Sequence, residues 1–148
     1  MRMEVFFVDQ SGKVEQTNRD TVVAATDGKS VAVVIKSRDK QRLFRHAKLY
    51  RKKHLYLRIF TYAVFKAVES LLDADSKIVI DAEYPGKEHI IRAMLCTFIA
   101  RRHGFFDIRR IEFDRVGKDS KAHELSVGKL DARKTIVFSD EDWKSAIG

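Results

Sequence analysis

The sequence predicts an α/β fold in which helices cover both faces of a mixed sheet, built as a single domain over residues 1–148. Three observations support this prediction. The chain of 148 residues is long enough for one hydrophobic core and short for two. Its N-terminal part holds three strand-like segments separated by turn residues. Beyond them, segments of helical periodicity alternate with short apolar runs, which is typical of strands joined by helical crossovers.

The three N-terminal segments predict an antiparallel meander. Strand one, Met3–Val8, contains five apolar residues that fill both of its faces, as expected for a strand buried on both sides. The polar stretch Gln10–Asp20 forms the loop that follows. Strand two is Thr21–Thr26 and strand three is Ser30–Lys36, and the Asp27-Gly28 pair between them is typical of a tight hairpin.

Helical spacing dominates the next part of the chain. Apolar residues recur three and four positions apart in the basic stretch Arg38–Lys53 and in the segment that begins at Leu55 and is ended by Asp73–Ser76. In the second segment, Tyr62 and Glu69 fall on the polar face. The remaining predicted elements are strand four (Lys77–Asp81), a helix (Lys87–His103) closed by Gly104, strand five (Ile108–Phe113), a short helix (Lys121–Lys129) after an N-cap at Lys118–Ser120, a last strand (Thr135–Phe138) and a capped terminal turn at Trp143.

Composition limits the environment of the protein. No apolar run approaches the roughly 18 residues of a membrane span, and the N-terminal residues Met1–Glu4 carry an acid and lead directly into a strand, unlike a signal peptide. The single cysteine, Cys96, excludes an internal disulfide and a cysteine-based zinc site. We therefore expect a cytoplasmic protein that makes no membrane contact.

The positive charge is concentrated in one stretch. The formal net charge is +8, and the segment Lys36–Arg58 holds ten Lys or Arg residues but one acid, Asp39. Such a density of basic residues favours a polyanionic partner, most plausibly nucleic acid. The alternative interpretation is a solvated helix face in a generally lysine-rich protein.

Two apolar strands end in acidic residues. Strand one is followed by Asp9 and then a Ser-Gly turn, and strand four ends in Asp81, with Glu83 two residues later. If the two strands are neighbours, these carboxylates meet at one edge of the sheet, and carboxylate oxygens are the ligands that a hard divalent cation prefers. The alternative is that Asp9 begins a turn and that Asp81 and Glu83 are polar residues at a strand end.

This element order, with an acid in strand one and another closing strand four, resembles the ribonuclease H-like superfamily, which includes ribonucleases H, Holliday-junction resolvases, integrases and Argonaute nuclease domains. The run Asp9–Gly12 is also similar to the Asp-Glu-Ser-Gly opening of some proteins with this fold, with Gln10 in place of Glu. The resemblance implies a five-stranded sheet of order 3-2-1-4-5. In that order strands one and four are neighbours, and Asp9 and Asp81 lie side by side.

The resemblance also implies further metal ligands. The family places a Glu early in the helix before strand four, but Tyr50–Phe60 holds no acid, and Glu69 comes too late in the helix, so Glu83 is the substitute we expect. The family's last helix supplies an Asp or a His. The segment Asp119–Ser126 is similar to that helix, with His123 at the ligand position and Asp119 as the competing candidate. Otherwise Asp119 is an N-cap and His123 a surface histidine.

The function implied by the resemblance is metal-dependent hydrolysis of phosphodiester bonds. Two Mg²⁺ or Mn²⁺ ions about 3.5–4 Å apart bracket the phosphate in such sites, and Asp9, Asp81 and His123 are the expected catalytic residues. Phosphate contacts are expected from Arg42, Arg45, Arg51, Lys52 and Lys53.

Two other functions stay open. One is a non-catalytic nucleic-acid-binding module on the same fold with an incomplete acidic site, which the missing helix Glu favours. The other is a protein-interaction domain with an incidental basic face. A homodimer is possible, because a resolvase-type function requires one.

Overall fold

The computed structural model describes residues 5–27, 29–45, 54–72, 75–115, 120–128 and 130–147. A mixed sheet lies at its centre, with strand order β5-β4-β1-β2-β3-β6. Antiparallel pairing joins the first three strands, whereas β4 is parallel to β1, β5 to β4 and β6 to β3. The strands are β1 (Val5–Ser11), β2 (Thr21–Thr26), β3 (Ser30–Ile35), β4 (Lys77–Asp81), β5 (Ile111–Asp114) and β6 (Lys134–Val137).

The N-terminal meander is confirmed, and the first five strands occur in the expected order 3-2-1-4-5. The prediction of a five-stranded sheet is wrong, because a sixth strand extends it. β6 pairs in parallel with β3, in the register Val31↔Lys134 to Val34↔Val137. An edge strand has unpaired N–H and C=O groups along one side, and β6 satisfies those of β3.

Helices pack on both faces of this sheet, as predicted. α2 packs against β2 and β3 and is itself covered by α3 and α5, whereas α4 packs against β1 and β2 on the other face. The described helices are α1 (Ser37–Arg45), α2 (Leu55–Val68), α3 (Glu88–His103), α4 (Lys121–Ser126) and α5 (Asp140–Ile147).

Side-chain alternation along β1 separates the core from the opposite face. Phe6 and Val8 are fully buried against the α2 layer. Phe7 and Asp9 point to the other face, where α4 lies, because successive strand residues face opposite ways. β1 is therefore the element that joins the hydrophobic core to the acidic residues.

α2 is apolar on nearly all sides, which is typical of a helix enclosed by other elements. Tyr62, expected on the polar face, is only 3% exposed. Its ring packs edge-on against Phe98 of α3 and Phe138 after β6. The polar-face prediction fails at this position because α3 and α5 cover the outer side of the helix.

Several element boundaries differ from the predicted ones. β1 continues through Ser11, so Asp9 lies inside the strand instead of ending it. A 3₁₀ turn over Ile108–Arg110 precedes β5. α4 ends at Ser126, before the turn residue Gly128, which has a φ of 82°.

The loop between β1 and β2 is fastened to α1. The buried Lys40 ammonium donates to the carbonyl oxygens of Lys13 (3.3 Å) and Gln16 (2.7 Å) and to Thr21 Oγ1 (2.8 Å). Gly12 has a φ of +72°, and a Cβ placed there would lie 2.3 Å from the Asp20 carbonyl oxygen. These contacts hold the loop, and with it Lys13, in a defined place beside the end of β1.

In the described ranges, no helix combines the length and the apolar character needed to cross a membrane.

Candidate metal centre

Asp9 and Asp81 lie side by side on neighbouring parallel strands. The β1–β4 register runs from Val5↔Lys77 to Val8↔Ile80, so the next residues along the two strands are these two acids. Their side chains point to the same face because they hold equivalent positions in a parallel pair. The hypothesis that the sheet order brings the two acids together therefore agrees with the geometry.

Glu83 completes a group of three carboxylates. After β4 the chain turns tightly, and the amide of Glu83 donates to the carbonyl oxygen of Asp81 at 2.8 Å. One oxygen from each of Asp9, Asp81 and Glu83 lies within 4.8 Å of the other two. In the described parts of the chain this is the group of acidic or histidine side chains that converges closely enough to hold a metal ion.

Burial and mutual repulsion disfavour the charged forms of these acids. Burial raises the pKa of Asp9 above its ordinary value, and the charge of Asp81 adds to the rise, while hydrogen bonds from His123 and from the Gln10 amide oppose it. Burial, followed by the hydrogen bond and the charge of Asp81, raises the pKa of Glu83 to about 7. A bound cation would relieve this repulsion and favour the ionised forms.

His123, in the helix α4 that packs on the sheet face to which Asp9 points, contacts Asp9. Its Nδ1 lies 2.9 Å from Asp9 Oδ2, and α4 places the ring there because Ser120 Oγ caps the helix by accepting from the His123 amide at 3.1 Å. With Nδ1–H donating to the carboxylate, a neutral ring keeps its lone pair on Nε2. His123 is not one of the three converging side chains. Through its contact with Asp9, it can orient that carboxylate.

The other predicted ligands are placed differently. Asp119 lies outside the described residues, and Ser120 is the N-cap of α4. Glu69 is not a freely solvated charge: it pairs with Arg102 (3.3 Å) and His103 (3.0 Å) at the end of α3. The first turn of α2 holds no acid, as its sequence indicated. Three carboxylates, and no helix Glu, therefore define the described site.

Part of the predicted phosphate-binding set is described. Arg42 and Arg45 lie in the last turn of α1, and Arg42 Nη2 donates to Asp140 at 2.9 Å. The other three residues, Arg51, Lys52 and Lys53, lie outside the described residues. The buried Lys40 joins α1 to the loop after β1, and it is this loop that carries Lys13 near Glu83.

Two residues near the site were not predicted from the sequence. Lys13 lies close enough to Glu83 for its charge to oppose the rise in the Glu83 pKa, and its Nζ stands 5.9 Å from the Tyr84 ring centroid. Asp114 ends β5 directly beside Asp81 in the parallel register. A sequence signal existed for Asp114, since it directly follows the predicted strand Ile108–Phe113. None existed for Lys13, whose position depends on the loop geometry.

The donor set fits a hard divalent cation. All three groups offer carboxylate oxygen, the preferred ligand of Mg²⁺, Mn²⁺ and Ca²⁺. Two oxygens bound to one Ca²⁺ lie up to about 5 Å apart, and to one Mg²⁺ up to about 4.2 Å, twice the bond length. One oxygen of each of the three carboxylates lies within 4.8 Å of the other two, a separation of the same order as these distances.

No protein-family model matches the chain, and searches of curated proteins and of solved structures found no significant match.

Proposed function

We propose that this chain is a metal-dependent nuclease of ribonuclease H-like architecture that hydrolyses phosphodiester bonds in nucleic acid. The observation that carries the proposal is the convergence of Asp9, Asp81 and Glu83 at the carboxyl ends of two adjacent parallel strands. The strand order 3-2-1-4-5, extended by β6, supports the architecture. The net charge of +8 supports a polyanionic substrate.

The residues near the site would have different roles in this reaction. Asp9, Asp81 and Glu83 would hold Mg²⁺ or Mn²⁺, and His123 would keep the Asp9 carboxylate in one orientation through its 2.9 Å bond. When bound, a divalent ion in such a site supplies Lewis-acid activation of the phosphodiester and of the attacking water. Lys13 and the basic residues of α1 would attract the flanking phosphates to the same edge of the sheet.

A second function is supported by a specific observation. The first turn of α2 has no acid, so the described site holds three carboxylates and lacks the early helix Glu. A module that binds nucleic acid without cleaving it would tolerate such a set.

Cleavage assays separate the two functions. End-labelled single strands, duplexes, RNA–DNA hybrids and four-way junctions would be incubated with Mn²⁺ or Mg²⁺ and the wild type, Asp9→Asn or Asp81→Asn. The nuclease proposal predicts that both substitutions abolish cleavage and retain binding. Asp107→Asn, at the opposite edge of the sheet, is the matched control and should cleave normally. Binding without cleavage by the wild type would favour the non-catalytic module.

A further inference from the structure

Phe7 is an exposed aromatic residue in a central strand. Its side chain is 44% exposed, whereas its neighbours in the chain, Phe6 and Val8, are fully buried. On the sheet surface it is flanked by Thr26 on β2 and Val79 on β4, whose small side chains leave the ring open. A large apolar side chain at the centre of a sheet is normally covered, and on this face the Phe7 ring is left open to solvent.

A cavity of about 350 Å³ lies beside the ring. The sheet residues Val5, Phe7 and Thr26 form its floor, and the first turn of α4, residues 120–122, forms one wall. Small-molecule pockets have volumes of about 300–1,000 Å³ and combine apolar walls with a few polar groups. Here the polar residues of the lining are Thr26, Ser120, Lys121 and Asp27, whose carboxylate accepts from the Lys29 amide at 2.9 Å.

This cavity adjoins the candidate metal centre. Phe7 and Asp9 are two residues apart on the same face of β1, a separation of about 7 Å along the strand. On the other wall, Ala122 directly precedes His123, the residue that binds Asp9. If a phosphate is held at the carboxylates, the nucleoside attached to that phosphate can therefore reach the cavity.

We propose that the cavity beside Phe7 binds a nucleobase of the strand whose phosphate lies at the carboxylate cluster. The base would lie against the Phe7 ring, with Lys121 near the flanking phosphate. This inference rests on the proposed function and specifies its substrate. A base in this cavity is unpaired, so the preferred substrate is single-stranded or carries an extruded base.

The chemistry of the cavity favours this occupant. A planar aromatic floor suits every base, because each base offers a π-face for stacking. Lys121 is the cation among the lining residues and suits a phosphate, whereas the Asp27 carboxylate of the same lining is already bonded to the Lys29 amide. The adjoining carboxylates suit a ligand that arrives with a metal-bound phosphate. An uncharged apolar partner would use the aromatic floor but neither charged neighbour.

Binding of oligonucleotides to Phe7 variants tests the proposal. Fluorescein-labelled single-stranded DNA and RNA of twelve nucleotides would be titrated with wild type, Phe7→Ala and Phe7→Trp in the presence of Ca²⁺, and anisotropy recorded. One stacked base accounts for about a 5- to 150-fold effect on affinity. We expect Phe7→Ala to weaken single-strand binding by about tenfold and Phe7→Trp to retain it. Phe105→Ala is the control, because Phe105 is 88% exposed elsewhere on the surface.

An abasic nucleotide provides a second readout. The abasic nucleotide would be placed at each position of the oligonucleotide in turn. At one position it should weaken the binding of the wild type, and at that position it should not change the affinity of Phe7→Ala. Thermal melting of each variant controls for folding.

Three results would overturn the inference. One is equal single-strand affinity of Phe7→Ala and wild type. Another is an equal loss for single strands and blunt duplexes. The third is conversion of a wild-type dimer to a monomer by Phe7→Ala in light scattering, which would assign the ring to a contact with a second copy. None of them affects metal binding by Asp9 and Asp81, so the proposed function is tested separately.

Discussion

At the scale of single residues, the Asp9 carboxylate is held in place by burial and by hydrogen bonds to both of its oxygens. It is buried, with 3% of its surface exposed, and its two oxygens accept from the Gln10 amide (2.8 Å) and face His123 Nδ1 (2.9 Å). A buried carboxylate needs such partners because burial penalises its charge. The same bonds fix the orientation of the carboxylate toward Asp81 and Glu83.

Replacing His123 should weaken metal binding without removing a ligand. Residues that orient a metal ligand typically account for about 10- to 100-fold in metal affinity. We expect a loss of this size for His123→Ala and a smaller loss for His123→Gln, whose amide can still donate to Asp9. Isothermal titration with Mn²⁺ measures both. Equal Mn²⁺ affinity of His123→Ala and wild type would show that His123 does not contribute to metal binding. Total loss of Mn²⁺ binding would indicate that His123 is itself a ligand.

The raised pKa of Glu83 predicts a pH-dependent stability in the metal-free protein. Its folded-state pKa of about 7 exceeds the ordinary value of 4.5. Between these values the folded chain binds a proton that the unfolded chain has released, so stability due to this group is present at low pH and lost as pH rises through about 7. In EDTA, urea unfolding should show that the free energy of unfolding of the wild type is lower at pH 8 than at pH 5. The difference between the two pH values should be smaller for Glu83→Gln. Parallel profiles for the two proteins would contradict the pKa shift.

At the scale of elements, the loop between β1 and β2 depends on a single side chain of α1. Burial lowers the pKa of Lys40 to about 8, so the ammonium is protonated at pH 7 and can donate all three of its hydrogen bonds. These bonds tie Lys40 to the Gln16 carbonyl oxygen, to the buried Thr21 hydroxyl and to the Lys13 carbonyl oxygen, which also accepts from the Gln16 amide at 3.0 Å. The loop in turn presents Lys13 beside Glu83.

Lys40→Met should therefore destabilise the fold by about 2–4 kcal/mol, because it removes three hydrogen bonds from a charged donor, one of them to the buried Thr21 hydroxyl. Chemical denaturation measures the change. Arg38→Met in the same helix is the control, since the Arg38 side chain is 88% exposed, and it should change stability by less than about 0.5 kcal/mol. A loss below 1 kcal/mol for Lys40→Met would show that the loop is held by other contacts.

At the scale of the whole molecule, the meander and the parallel direction of the later strands were the most predictable features. Alternating helical and strand patterns, together with the Asp27-Gly28 pair in the sequence, were sufficient for both, whereas the order of the five strands came from the resemblance to the ribonuclease H-like superfamily. The pairing of β6 was not predictable, because its four residues, Lys134–Val137, carry no signal that selects the β3 edge over the β5 edge.

The candidate site was predictable only in part. Periodicity identifies the strands that carry Asp9 and Asp81, with Glu83 two residues later, so the meeting of these acids follows once β1 and β4 are neighbours. The contact between His123 and Asp9 joins residues 114 positions apart, and local patterns do not encode its distance. The place of Lys13 depends on the Lys40 bonds and on the positive φ of Gly12. Tertiary packing, not residue type, decides such contacts.

We infer that Asp9, Asp81 and Glu83 form one divalent-metal site, and titration calorimetry measures metal binding to it. Mn²⁺ and Mg²⁺ would be titrated into the wild type, Asp9→Asn, Asp81→Asn and the Asp107→Asn control. We predict binding to the wild type and the control, and its loss in both site variants, since each removes one of three anionic ligands. No wild-type binding at millimolar ion, or binding unchanged by both substitutions, would contradict the claim.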